Sequence, residues 1–159
     1  MKQKNLKLYL DDVRTPKSDE WIVVRSYNEF TLQIGVNGLE SFEMISLDHD
    51  LGEGAMVEYY TNVKNKQTLD YSNIKEKTGM DAARFLVNLS MDTGIELPKI
   101  YVHSANPIGS QNIISYINNY LESKGLEQTC ASVSIDHFIE SHLELSPELR
   151  KLKWDRSKK

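Results

Sequence analysis

Met44-Ile45-Ser46-Leu47-Asp48-His49-Asp50-Leu51-Gly52 is a short apolar run that ends abruptly in two acids and a histidine. Such a run, stopped by polar groups and a glycine, predicts a strand over Met44–Leu47 with its chemistry at the exit. The same design occurs on either side. Leu6-Lys7-Leu8-Tyr9-Leu10 stops at Asp11-Asp12, and Ile100-Tyr101-Val102, which follows Pro98, runs into His103-Ser104-Ala105-Asn106-Pro107. Trp21-Ile22-Val23-Val24-Arg25 reads as a covered strand, reached through the ten-residue connection Asp11 to Glu20, which is too short for a good helix. Ala131 to Ile135 reads as a short fifth strand.

Helical patterns fill the gaps between these runs. Ser26 and Glu29 form a capping box ahead of Phe30 and Ile34, which predicts a helix over Tyr27–Val36. Thr78-Gly79-Met80-Asp81 repeats that logic before Ala82, Phe85, Leu86 and Leu89, with Gly94 as the stop. Ile113, Ile114, Ile117, Tyr120 and Leu121 recur at helical spacing and end near Gly125, and Phe138, Ile139 and Leu143 mark a final helix. Strands alternating with helices predict a mainly parallel sheet with helices on both faces, a flavodoxin-like three-layer α/β sandwich. Ligands of such folds sit beyond the carboxyl ends of the strands, where the strand order reverses. Asp11-Asp12, Asp48-His49-Asp50 and His103-Ser104-Asn106 should therefore meet on one rim.

Composition bounds what that rim serves. The 159 residues fit one domain, 40% hydrophobic and 26% charged. We expect that domain over 1–145, with a basic tail over 146–159 that carries Arg150, Lys151, Lys153, Arg156, Lys158 and Lys159. A net charge of −4 argues against gripping extended duplex nucleic acid. No apolar run reaches the ~20 residues of a bilayer span, and Met1 to Leu10 lacks a signal-peptide core, so the expected address is cytoplasmic, with no membrane partner. A single cysteine, Cys130, excludes a disulfide framework and a multi-cysteine zinc cluster.

Carboxylates gathered at one edge repel unless a cation offsets them. Asp11, Asp12 and Asp48 are the candidate ligands, and the all-oxygen set suits Mg²⁺ or Mn²⁺. His49 and His103 titrate near neutral pH and either transfer a proton or hold neighbouring groups in place, with Asp50 as a supporting acid. Asp48 is also placed to act as a nucleophile. Arg14 offers a forked contact to phosphate or pairs with an adjacent Asp. Ser104 and Asn106 are candidate substrate contacts at the start of the Pro107 helix, where Asn106 is otherwise a simple cap. Asp136-His137 reads as another cap. Glu53 to Lys77 is a 25-residue insertion, read as a hairpin or lid whose Tyr59, Tyr60 and Tyr71 either stack on a base or anchor the excursion.

Asp-Asp-x-Arg at 11–14, Leu-Asp-His-Asp-Leu-Gly at 47–52, Thr-Gly-x-Asp at 78–81 and His-Ser-Ala-Asn-Pro at 103–107 together resemble the cyclic-phosphate processing receiver-like family. The resemblance spans roughly Leu6 to Leu121. It implies a receiver-like sheet and work on a cyclic phosphate of a nucleotide or an RNA end. The chain is also similar to response-regulator receivers, in which Asp11 and Asp12 would match the metal acids and Asp48 the phosphoacceptor. It departs from them in three places: no lysine lies between Ala131 and Glu140, the first helix is replaced by a connection, and the 53–77 insertion is extra. Three functions follow as expectations: a metal-dependent phosphoesterase, a non-catalytic nucleotide-binding module, and an atypical phosphoacceptor receiver.

Overall fold

Each apolar run pairs with its neighbours through parallel backbone hydrogen bonds. In the computed structural model, which describes residues 4–16 and 18–133, five strands form one sheet. They are β1 (Leu6–Leu10), β2 (Trp21–Val24), β3 (Phe42–Leu47), β4 (Lys99–Val102) and β5 (Ala131–Ser132), in the order β2-β1-β3-β4-β5. All four pairings are parallel, the flavodoxin-like and receiver-like order, and the direction of winding reverses between β1 and β3. β3 starts at Phe42, two residues before the expected Met44. Ser134 and Ile135, the expected helix at Phe138, Asp136-His137 and the basic tail lie outside the described residues.

Side-chain alternation along these strands separates two layers. Leu8, Ile45 and Ile100 are in register and fully or almost fully buried in the core, as are Leu10, Leu47 and Val102. Helices α1 (Tyr27–Asn37), α4 (Gly79–Thr93) and α5 (Pro107–Ser123) contribute Phe30, Ile34, Leu86, Ile113 and Ile117 to that same core. α1 packs on α4 and α4 packs on α5, so the three form one row. The opposite parity carries Tyr9 and Ser46, both buried.

Capping sets where the helices begin. Ser26 accepts from the Glu29 amide, Thr78 and Asp81 form a reciprocal box, and Asn106 caps α5 with Pro107 in its first turn. β1 reaches its parallel neighbour β2 through a connection with no helix among its described residues. Parallel neighbours ordinarily use a helical crossover. Here Asp11 Oδ1 accepts from the amides of Val13 and Arg14 at 2.9 and 2.8 Å, which turns the chain immediately. Arg25 then donates to the carbonyls of Asp11 and Arg14 and to Thr15 Oγ1, bracing the loop from the end of β2.

The insertion is helical, which corrects the hairpin expectation. α2 (Glu53–Glu58) passes through a π-helical stretch, Tyr59–Val63, into α3 (Lys64–Lys66), and a 3₁₀ turn follows at Tyr71–Asn73. Its organiser is a buried acid. Glu58 accepts from Asn62 and Asn73 side chains and from the Asp70 amide, each at 2.9 Å. Glu76 closes the base by accepting from the Ala55 amide at 2.7 Å. These partners are dispersed along the sequence, so no strand-like alternation was needed to order the segment. Among the described residues no helix is long and apolar enough to cross a membrane.

Candidate active site at the carboxyl rim

Register places three of the candidate residues at one level. Leu10 pairs with Leu47 and Leu47 with Val102, so Asp11, Asp48 and His103 are each the first residue past a paired strand end. The ladder continues through them. Asp11 N donates to Val24 O, Asp48 N to Leu10 O and His103 N to Leu47 O, at 3.1, 2.9 and 2.9 Å. By alternation these three share the parity of Tyr9 and Ser46.

Asp11, Asp12 and Asp48 each bring one carboxylate oxygen into a group whose members all lie within 4.8 Å of one another. Asp11 and Asp48 are buried and Asp12 is half-buried. Buried carboxylates this close need compensating charge, and an all-oxygen donor set of one or more carboxylates fits a hard divalent cation. Arg14 supplies part of the compensation from within the protein. It is 2% exposed and its Nη1 lies 3.5 Å from Asp11 Oδ2. Of its two readings, the structure displays the pairing with Asp11.

His103 sits beneath this cluster with both ring nitrogens engaged. Nε2 lies 3.3 Å from Asp11 Oδ2, and Nδ1 lies 2.6 Å from Ser46 Oγ. A carboxylate accepts only, so Nε2–H donates to Asp11 and Nδ1 accepts from the serine hydroxyl in the neutral ring. The imidazole also stacks on Tyr9, with centroids 4.3 Å apart and planes at 10°. Burial, with the Asp11 and Asp48 charges adding to it, pushes the Tyr9 phenol well above its usual range. Tyr9 therefore acts as a neutral platform.

His49 is one residue further on and turns the other way, toward α5. Its Nδ1 donates to Asp50 Oδ1 at 2.7 Å and its Nε2 accepts from Tyr71 OH at 2.9 Å. Asn112 Nδ2 donates to the same phenol oxygen at 3.2 Å. Asn106 joins Asp50 to the helix: its Nδ2 donates to Asp50 Oδ1 at 3.2 Å, and its Oδ1 accepts from Gly109 N at 2.9 Å. Ser104 Oγ accepts from the Asn106 amide at 3.1 Å and shapes the approach. In the structure, Ser104 and Asn106 thus build the start of α5.

Two glycines let the layers meet this closely. A Cβ on Gly79 would lie 2.0 Å from the Asp48 carbonyl oxygen, where the Gly79 amide donates to His49 O at 2.9 Å. A Cβ on Gly109 would lie 2.4 Å from the His49 ring. The Thr-Gly motif is thus a seat for the Asp48-His49 backbone as well as a helix start.

The structure brings Asp11, Asp12, Asp48, Arg14 and His103 together, and it joins His49, Asp50 and Asn106 in an adjoining network. Tyr71 anchors the insertion on His49, the second of the readings open to the tyrosines. Arg25, Asn112 and Glu58 were not singled out beforehand. Arg25 follows a strand end, as Asp11 and Asp48 do, and that position was its only signal.

A doubly wound parallel sheet with an acid cluster at the reversal point defines a receiver-type domain. The family model of the cyclic-phosphate processing receiver domain matches residues 6–119, well over half of the chain, and the protein belongs to that family. No curated protein and no solved structure matches it.

Proposed function

We propose that the protein is a metal-dependent phosphoesterase that opens a cyclic phosphate on a nucleotide or an RNA end. Family membership points to involvement in cyclic-phosphate processing. The observation that carries the finer reading is the convergence of Asp11, Asp12 and Asp48 within 4.8 Å. These residues would hold Mg²⁺ or Mn²⁺, which neutralises phosphoryl oxygens and makes bound water more acidic. Hydrolysis adds water across one P–O ester bond, so the departing oxygen needs a proton.

His103 holds Asp11 in place through Nε2 and is the imidazole on the side of the acids. Tyr71, His49 and Asp50 form a hydrogen-bonded line along which a proton can shift, with Nε2 of His49 as the accepting atom. Asp48 has a second route, attack on phosphorus to give an acyl phosphate that water then cleaves. Arg14 balances the charge of Asp11, and its phosphate role would be to support that acid. The test is incubation of the folded protein with 2′,3′-cyclic nucleotides, 3′,5′-cyclic nucleotides and cyclic-phosphate-ended RNA, with Mg²⁺ or Mn²⁺. Ring opening that is lost with chelator supports the reading; no product across the panel counts against it.

A second reading is a binding module that captures the same ligand without turnover. It is favoured by one feature: both nitrogens of both rim histidines are engaged by the protein itself. Saturable binding without product is its signature.

A further inference from the structure

A cavity of about 560 Å³ lies between the insertion and the first turns of α5, lined by Tyr59, Val63, Lys64, Gln67, Pro107, Ile108, Gln111 and Asn112. We propose that it is the base subsite of the substrate, taking a nucleobase with an exocyclic amine; this rests on the cyclic-phosphate reading of the adjoining rim.

The cavity has the size of ordinary small-molecule sites, about 300–1,000 Å³. Tyr59, Val63, Pro107 and Ile108 give it apolar walls of the kind a flat ring needs. The polar groups of its lining residues are three side-chain amides, one lysine and the Tyr59 hydroxyl, with no carboxylate among them. Amides pair with base edges because each carries a donor and an acceptor on one plane. Two of them already spend a donor inside the protein. Gln111 Nε2 donates to Ser115 Oγ at 2.9 Å, and Asn112 Nδ2 donates to Tyr71 OH at 3.2 Å. Each keeps its carbonyl oxygen and one N–H, the adjacent acceptor and donor with which an amide grips an exocyclic amine and the ring nitrogen beside it, as on adenine.

Asn112 ties this cavity to the rim. One face of the residue lines the cavity, while its amide continues through Tyr71 and His49 to Asp50. A base held there sits at the end of that line, with the sugar and phosphate toward the acids.

Gln67 adds an independent sign. It has φ 55° and ψ 37°, and it is the only non-glycine residue of positive φ among the described residues. Its amide closes α3 by donating to Val63 O at 3.0 Å. Glycine is the ordinary residue at such a helix end. A long amide stands at a position that favours glycine and lines the cavity, where it can offer a ligand a contact that glycine cannot make.

The experiment titrates the ¹⁵N-labelled full chain, without metal, with adenosine, cytidine and uridine, which carry no phosphate. Adenosine and cytidine should shift the side-chain amide signals of Gln67, Gln111 and Asn112, and bind more tightly than uridine. Gln67→Gly should weaken adenosine by about 3- to 10-fold, the value of one hydrogen bond, while its melting temperature stays level or rises. Gln111→Ala should weaken it similarly. No response of these amides to any nucleoside overturns the subsite, as does full adenosine affinity in a folded Gln67→Gly, Gln111→Ala double variant. Equal turnover of 2′,3′-cyclic AMP and the base-free methyl riboside 2,3-cyclic phosphate, with silent nucleosides, overturns the subsite and leaves the phosphoesterase standing. Nucleoside binding at these amides, without turnover of any cyclic phosphate, supports the subsite and removes the phosphoesterase.

Discussion

The two rim histidines are of one residue type and both are buried, yet they belong to opposite faces of the sheet. His103 lies on the sheet side, stacked on Tyr9 and bonded to Asp11 and Ser46. His49 lies on the helix side, seated on Gly109 and bonded to Asp50 and Tyr71. The difference comes from strand parity. His103 is one residue past β4 and Asp48 one past β3, whereas His49 is two past β3 and falls on the other face. The sheet side is therefore a charge problem, with acids brought together by backbone register. The helix side is a hydrogen-bond problem, in which the insertion and α5 fix one imidazole.

Substitutions should separate the two sides. The largest effect is expected at His103→Gln, which removes the imidazole that positions Asp11; loss of such a support costs about 10- to 100-fold in metal affinity. Calorimetric titration with Mn²⁺ measures it, and unchanged affinity would detach His103 from the acid cluster. Next is Gly109→Ala on the helix side. The added methyl meets the His49 ring, so stability should fall by about 1–3 kcal/mol in denaturant unfolding while Mn²⁺ affinity is retained. Tyr71→Phe deletes one hydroxyl between His49 and Asn112 and should cost about 0.5–1.5 kcal/mol, with amide exchange of residues 53–77 speeding up most. A large loss of Mn²⁺ affinity in either helix-side variant would merge the two regions into one.

A smaller effect lies away from both sides. Burial pushes the Cys130 thiol up to about 12 from an ordinary 9.0. The unfolded chain ionises from about pH 9 while the folded thiol stays protonated, so stability is full below pH 9 and declines as pH rises toward 12. Between pH 8 and 10 the wild type should lose about 1 kcal/mol more than Cys130→Ala. Equal losses would place the thiol in water.

The sheet side was the more legible in sequence, because its information is local and periodic. An apolar run that ends in Asp or His announces both a strand and its exit, and the doubly wound rule brings the exits together. The capping boxes at Ser26 and Thr78 were readable for the same reason. The helix side was read incompletely. Asp50 and Asn106 were singled out, but Tyr71 meets His49 from 22 positions away, and Asn112 joins them only through Tyr71, 41 positions before it. The helical insertion was hidden similarly, since Glu58 orders it through Asn62, Asp70 and Asn73 rather than through an apolar repeat. Arg14 has a guanidinium that sequence allows to face either a phosphate or a neighbouring acid, and only the folded loop directs it to Asp11.

The central claim is that Asp11, Asp12 and Asp48 are gathered to hold a divalent cation, and thermal unfolding across a Mg²⁺ and Mn²⁺ titration tests it most directly. Without metal, Asp48→Asn should melt above the wild type, because one of three crowded charges is gone. With metal, the wild type should gain stability in a saturable way, about 2.7 kcal/mol at a hundred times the dissociation constant, and the variant should gain little. A wild type indifferent to both ions, or an Asp48→Asn variant that responds equally, would contradict the account.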